Sequence, residues 1–241
     1  MAGGKRFILV HGALHGAWCW EKVVPLLELQ GHSVQAVDLP GRAGKGKPGW
    51  RLSLDDYIDD LAQTVAKEPA PVVLVGHSLG GMLISGVAER MPDKIERLIY
   101  LTAWVPLDGR NMIQLGQLDK ASQLHRASAA SLLRGLVVAK PGGFRDVFYF
   151  DCDDEDVRNA ETRLVPESIR TALGRVALTP ERFGRVPASY VVCEADKALT
   201  PALQRRMAAS IHATVVTLPS SHSPFFSMPR RLTDTLHQAL Q

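Results

Sequence analysis

Residues 71–90 read PVVLVGHSLGGMLISGVAER. Val72, Val73, Leu74 and Val75 form a short run that is apolar throughout, which predicts a strand buried on both faces of a parallel sheet. From about Leu79 to Arg90 the pattern turns helical, and Pro92 stops it. Between the two, Gly76-His77-Ser78-Leu79-Gly80 matches G-x-S-x-G in the strand–turn–helix setting that gives the pattern its meaning. So tight a turn strains the backbone of its central serine, and glycine two residues before and after removes side chains that would collide. The turn holds the Ser78 hydroxyl above the sheet. It also leaves the Leu79 amide, at the helix N-terminus, free to face a developing oxyanion.

Outward from this point, short apolar runs alternate with helical patterns, as in a parallel sheet covered by helices. Strands are predicted at Phe7–Val10, Val34–Val37, Ile95–Leu101, Ala188–Cys193 and Ala213–Leu218. Helices are predicted at Trp18–Leu29, at Leu54–Ala66 behind a Ser53 cap, at Pro201–Ser210 and at Pro229–Leu240. Arg42–Arg51 reads as a Gly/Lys/Pro loop. From Pro106 to Arg185 the alternation breaks down into a stretch of helical tendency, with Leu115, Leu118, Leu124, Leu132 and Leu133 at mixed spacings. The fold class expected is α/β, an α/β-hydrolase fold. About six mostly parallel strands carry helices on both faces, and a helical lid follows the fourth strand. Residues 1–105 and 186–241 form its core and 106–185 the lid.

A serine hydroxyl is a poor nucleophile until a histidine takes its proton and an acid orients that histidine. The chain order in this fold is serine, acid, histidine. His222 lies in the loop after the last predicted strand, where sites of parallel sheets assemble. His237 falls within the final helix and reads as a surface residue. His222 is therefore the expected base. Asp196, after the strand ending at Cys193, is the expected acid, with Glu194 and Asp108 as the alternatives. The second oxyanion donor is expected from the loop His11-Gly12-Ala13-Leu14-His15-Gly16, at the Ala13 amide. His11 and His15 read as local structural hydrogen bonders. Trp104, Met112, Phe144, Phe148, Tyr149 and Phe150 are candidates to line an apolar pocket.

Bulk properties set the context. The 241 residues carry 28 basic and 25 acidic side chains, a net charge of +3, too balanced to imply nucleic acid or a membrane as partner. Cys19, Cys152 and Cys193 match no metal or redox spacing and read as buried apolar residues of a reducing compartment. No phosphate-binding glycine pattern occurs, and no cofactor or metal is expected. His11, Gly12 and His15 interrupt the first apolar run, so no signal-peptide core forms. No stretch reaches the roughly 18 apolar residues of a spanning helix. A cytoplasmic location is the expectation.

The segments HGALHGAW (11–18), GHSLGGM (76–82) and EADK (194–197) resemble the plant methyl esterases and hydroxynitrile lyases, among them the salicylate methyl esterases, and bacterial esterases such as pyrethroid hydrolases. The resemblance covers 1–105 and 186–241 and fades between them. It implies a cofactor-free enzyme with Ser78, Asp196 and His222 as triad and the Ala13 and Leu79 amides as oxyanion donors. Several members are dimers, which leaves a homodimer as a candidate assembly. The lyases carry a threonine after the first histidine and a lysine after the catalytic one, where this chain has Gly12 and Ser223. Without that lysine a departing cyanide has no charge to stabilise it, and Gly12 removes the hydroxyl that would hold a cyanohydrin. The expected function is a serine esterase acting on small to medium hydrophobic esters (methyl, aryl or pyrethroid-like). Hydroxynitrile lyase, carbon–carbon hydrolase, cofactor-free oxygenase and slow-turnover receptor are the alternatives.

Overall fold

The computed structural model describes residues 4–45, 49–140 and 142–240. Six strands form one sheet: β1 (Arg6–Val10), β2 (Ser33–Val37), β3 (Val72–His77), β4 (Ile95–Leu101), β8 (Ala188–Cys193) and β9 (Thr214–Leu218). Three more, β5 (Ser128–Ser131), β6 (Leu136–Ala139) and β7 (Glu167–Ser168), form a separate sheet. The large sheet runs β2-β1-β3-β4-β8-β9, and every neighbouring pair is parallel. All six residues of β3 are buried, which explains why its sequence is apolar without alternation.

Side chains of successive strand residues enter opposite layers. Ile8, Leu74, Leu98 and Val192 pack with the helices Leu54–Ala66, Gly80–Arg90 and Pro201–Ser210. Phe7, Val73, Ile99 and Val191 pack with Val24–Leu29 and Pro229–Gln238 on the other face. Ser53 caps its helix as predicted. Its hydroxyl accepts from the Asp56 amide, and the Asp56 carboxylate answers the Ser53 amide at 2.8 Å. Within the predicted loop Arg42–Arg51, residues 46–48 lie outside the described residues, and Gly49–Arg51 form a 3-10 turn.

Two expectations need correction. The predicted helix Trp18–Leu29 is a 3-10 turn at Ala17–Trp20 followed by a separate helix at Val24–Leu29. Residues 106–185 are not purely helical. They combine short helices, such as Gly143–Phe148 and Asp154–Arg163, with the antiparallel sheet β5-β6-β7. The sequence SAAS of β5 carries no strand propensity, and its backbone pairing with β6 decides its state. Among the described residues no helix is long and apolar enough to cross a membrane.

Candidate active site

The site begins at the end of β3. Ser78 holds a positive φ of 50°, the left-handed region that costs a non-glycine residue energy. The surroundings fix it there. The Ser78 amide donates to Leu101 O at 3.3 Å, and the Ser78 carbonyl accepts from Gly81 N at 3.1 Å and Trp104 N at 3.0 Å. A Cβ on Gly76 would stand 2.7 Å from the Gly80 carbonyl, so this crossing of strand and helix admits no side chain. Among the described residues the amides of Ala13 and Leu79 donate to no protein acceptor.

Asp196 and His222 meet above β8 and β9. His222 Nδ1 lies 2.6 Å from Asp196 Oδ2, and both residues are buried, at 2% and 4% exposure. A carboxylate only accepts, so Nδ1 carries a proton, and in the neutral ring Nε2 is the nitrogen with the lone pair. The carboxylate is itself held. Asp196 Oδ1 accepts the amides of Ala198 (2.7 Å) and Leu199 (3.0 Å), while Oδ2 also accepts the Thr102 hydroxyl and, at 3.4 Å, Gln204 Nε2. Thr102 and Gln204 escaped the sequence reading. Thr102 follows β4 directly and bears a positive φ of 37°, a conformation most unusual for a β-branched residue. No linear pattern announces it. The rival acids lie elsewhere: Glu194 is exposed and pairs with Arg205, and Asp108 sits in an exposed turn.

His77 Nε2 donates to the His222 carbonyl at 2.9 Å, and its Nδ1 is buried without a partner. Burial, then the neighbouring His222 and His15, hold its pKa well below the imidazole range. In the loop after β1, His11 Nδ1 donates to Gly12 O at 2.8 Å while Nε2 accepts the Leu39 amide at 3.2 Å. His15 Nδ1 donates to Ala13 O at 2.8 Å and Nε2 accepts the Tyr149 hydroxyl. Desolvation lowers the His15 pKa to about 4, so this ring is neutral and structural. Arg42 reaches the same loop, with Nε donating to His15 O at 3.0 Å and Nη2 paired to the buried Glu167 carboxylate. The Tyr57 hydroxyl donates to the other Glu167 oxygen at 2.6 Å.

Ala13, Ser78, Leu79 and His222 all face one cavity of about 350 Å³. Of the expected pocket residues, Trp104, Met112 and Phe148 line it. Phe144 and Tyr149 are buried against His15, and Phe150 lies at the surface beneath the Lys197 ammonium. Gly12 does not line the cavity. A Cβ there would stand 2.8 Å from His77 Nδ1 and 2.9 Å from Ser78 Cβ, so the glycine lets the loop approach Ser78. Ser223 is likewise buried and away from the cavity wall. Besides Leu14, His15 and His77, the remaining walls come from 106–185, including Val137, Glu167, Ile169 and Ala172, which sequence periodicity did not single out. Among the described residues no group of His, Cys, Asp and Glu is placed to hold a metal ion.

A model of the alpha/beta hydrolase family matches residues 7–235. The chain is 31% identical to methyl jasmonate esterase 1 of Vitis vinifera, with 98% of this chain and 97% of that protein covered. It is 33% identical to a pyrethroid hydrolase of Sphingobium wenxiniae, covering 95% of this chain and 85% of the relative. Among solved structures, polyneuridine aldehyde esterase superposes with a TM-score of 0.88 at 26% identity, over 99% of this chain and 100% of that one. Tomato methylketone synthase I complexed with 2-tridecanone gives 0.87 at 28% identity, over 98% and 97%.

Proposed function

This chain belongs to the alpha/beta hydrolase family and is a carboxylic ester hydrolase, and from that premise we propose that it cleaves hydrophobic esters through a Ser78–His222–Asp196 triad and an acyl-enzyme. The observation that carries the reading is the buried 2.6 Å contact of His222 Nδ1 with Asp196, in a site whose cavity also exposes Ser78. Ser78 Oγ attacks the ester carbonyl carbon while His222 Nε2 takes the hydroxyl proton. The carbonyl electron pair moves onto oxygen, and the Ala13 and Leu79 amides receive the resulting anion. Collapse breaks the bond to the alcohol, to which His222 returns the proton. Water then repeats the sequence at the acyl carbon and releases the acid. Asp196 holds the tautomer and stabilises the imidazolium; it does not itself take the proton.

The cavity supports a neutral, apolar ester. Trp104, Met112, Val137, Phe148 and Ile169 line it, and the one carboxylate among the described lining residues, Glu167, is committed to Arg42. Methyl, aryl and pyrethroid-like esters of small to medium size fit this character. The test is a burst of p-nitrophenol from an activated aryl ester, with the acyl group then found on Ser78 by mass spectrometry. A label on another residue overturns the triad. A screen of methyl, aryl and pyrethroid-like esters by kcat/KM identifies the preferred class.

Gly12 and Ser223 do not separate ester from cyanohydrin cleavage in the way their sequence positions suggest, because neither lines the cavity. Threonine at 12 meets His77 and Ser78 before it offers a hydroxyl to substrate, and Ser223 does not face the cavity.

A further inference from the structure

Leu14 follows the proposed oxyanion donor Ala13 and holds a left-handed φ of 67°, which disfavours any side chain with a Cβ. The groups that hold it there come from far along the chain. Val165 N donates to Leu14 O at 2.9 Å, and Leu14 N donates to Glu167 Oε2 at 3.4 Å. One residue on, Arg42 Nε donates to His15 O at 3.0 Å. Arg42 and Glu167 then close the ring by pairing with each other, their side chains 2% and 3% exposed. Tyr57 completes it, 2.6 Å from each partner. Burying such a pair is a poor way to gain stability, because desolvation offsets most of the attraction. It does fix geometry, and here it joins β7 to the loop beside Ser78.

We propose that Glu167, held by Arg42 and Tyr57, is a positioning residue that fixes the backbone of Leu14 and so aims the Ala13 amide at the oxyanion. The proposal rests on the serine-hydrolase reading above. The peptide joining Ala13 to Leu14 is planar. His15 Nδ1 donates to its carbonyl at 2.8 Å, and Glu167 accepts from its N–H. The neighbouring peptide, whose N–H is the donor itself, has its carbonyl held by His11. With both planes held, the Ala13 N–H needs no reorganisation when charge develops, and that is what makes an oxyanion donor effective. Glu167 lines the cavity wall, yet its oxygens are turned to the protein, so it acts through Leu14 and not on the ester.

The experiment compares the wild type with Glu167→Gln and Tyr57→Phe on p-nitrophenyl butyrate. It also measures inhibition by an aryl trifluoromethyl ketone and by the same ketone without fluorine. Ser78 Oγ adds to the fluorinated ketone, its proton passing to His222 and the carbonyl pair becoming an oxyanion; the plain ketone binds without addition. Removing an oxyanion donor outright costs about 10²–10³ in kcat, so misaiming it in Glu167→Gln is expected to cost roughly 10–100-fold with KM within about threefold. The Ki of the fluorinated ketone rises in parallel, and that of the plain ketone stays unchanged. Tyr57→Phe leaves the ion pair in place, gives the same pattern at smaller size, and decides the matter if Glu167→Gln does not fold. Unchanged kcat in folded variants, or equal weakening of both ketones, overturns the proposal. Failure of the underlying reading looks different: the wild type itself would resist the fluorinated ketone, or Ser78→Ala would retain activity.

Discussion

The sheet and the segment between β4 and β8 solve opposite problems. In the sheet, β3 is buried on both faces and paired on both edges, so each residue is fixed by near neighbours. In 106–185 the strands are four, four and two residues long and β5 and β6 are half-buried, while Leu132 and Leu133 stand 82% and 99% exposed at the hairpin tip. That segment is held at its seams. The Ser221 amide donates to Asp151 at 2.8 Å, Val165 N to Leu14 O at 2.9 Å, and Glu167 pairs with Arg42. The sheet carries the proposed reacting groups, and the segment supplies much of the cavity wall. The division suggests that substitutions in the first abolish chemistry for every ester, while those in the second change which ester is chosen.

Ser78→Ala tests the first half most severely. It is expected to lower kcat by about 10⁶ for all esters, with the circular dichroism spectrum unchanged. Residual turnover of any one ester at the wild-type rate breaks the division at once. Asp196→Asn is expected to cost about 10⁴ in kcat by spoiling the His222 tautomer. Asp108→Asn, in its exposed turn, leaves steady-state rates unchanged, and a reversal of the two moves the acid to the end of β4.

Acid tests the seam. His15 bridges the regions through Tyr149, and its pKa falls from 6.5 in the unfolded chain to about 4 in the folded one. Below pH 6.5 the unfolded chain therefore binds more protons, so stability is complete above 6.5 and is lost as pH falls towards 4. The loss is about 3 kcal/mol from this ring alone. His11 and His77, also lowered by burial, add to it in the same direction. Urea midpoints measured from pH 7 to pH 4 check this, and a midpoint flat with pH contradicts the buried neutral imidazoles. The smallest effect sharpens the second half. Val137→Trp narrows the cavity from the β6 side and is expected to cut kcat/KM for a bulky aryl ester by roughly tenfold to thirtyfold, with a methyl ester nearly unaffected. Equal loss on both would mean that the segment shapes the reacting geometry itself.

The same contrast decides what the residues reveal before folding. β4 and β8 occupy the residues predicted for them, since burial on two faces writes itself into composition, and the helix Pro201–Ser210 does so through its N-terminal proline and its one buried face at Leu203, Met207 and Ala208. The elbow was legible because one short turn sets all its requirements locally. Chain order and position after a strand point to Asp196 and His222, and the structure brings them into contact. Leu132 and Leu133 belong to a stretch whose residues read as helical in tendency, yet they cap an exposed hairpin, because apolar residues do not identify their own partners. Glu167 looks like any surface acid until Arg42 and Tyr57, 125 and 110 residues away, close around it. Thr102 is invisible for the same reason: its meaning lies in Asp196, 94 residues on.

The order of strands across the large sheet also bears on how activity arises during synthesis. β1, β3 and β4 lie side by side and emerge early, bringing Ser78, Ala13 and Leu79 with them. β8 and β9 join outward from β4 in the order in which they leave the ribosome, and only they carry Asp196 and His222 to the site. Domains fold as units, so a chain that lacks β8 and β9 lacks two strands of its large sheet together with the residues proposed as acid and base. On the proposed triad, the last edge of the sheet completes the site, and a chain released short of β9 is expected to be inert towards esters because it carries no His222.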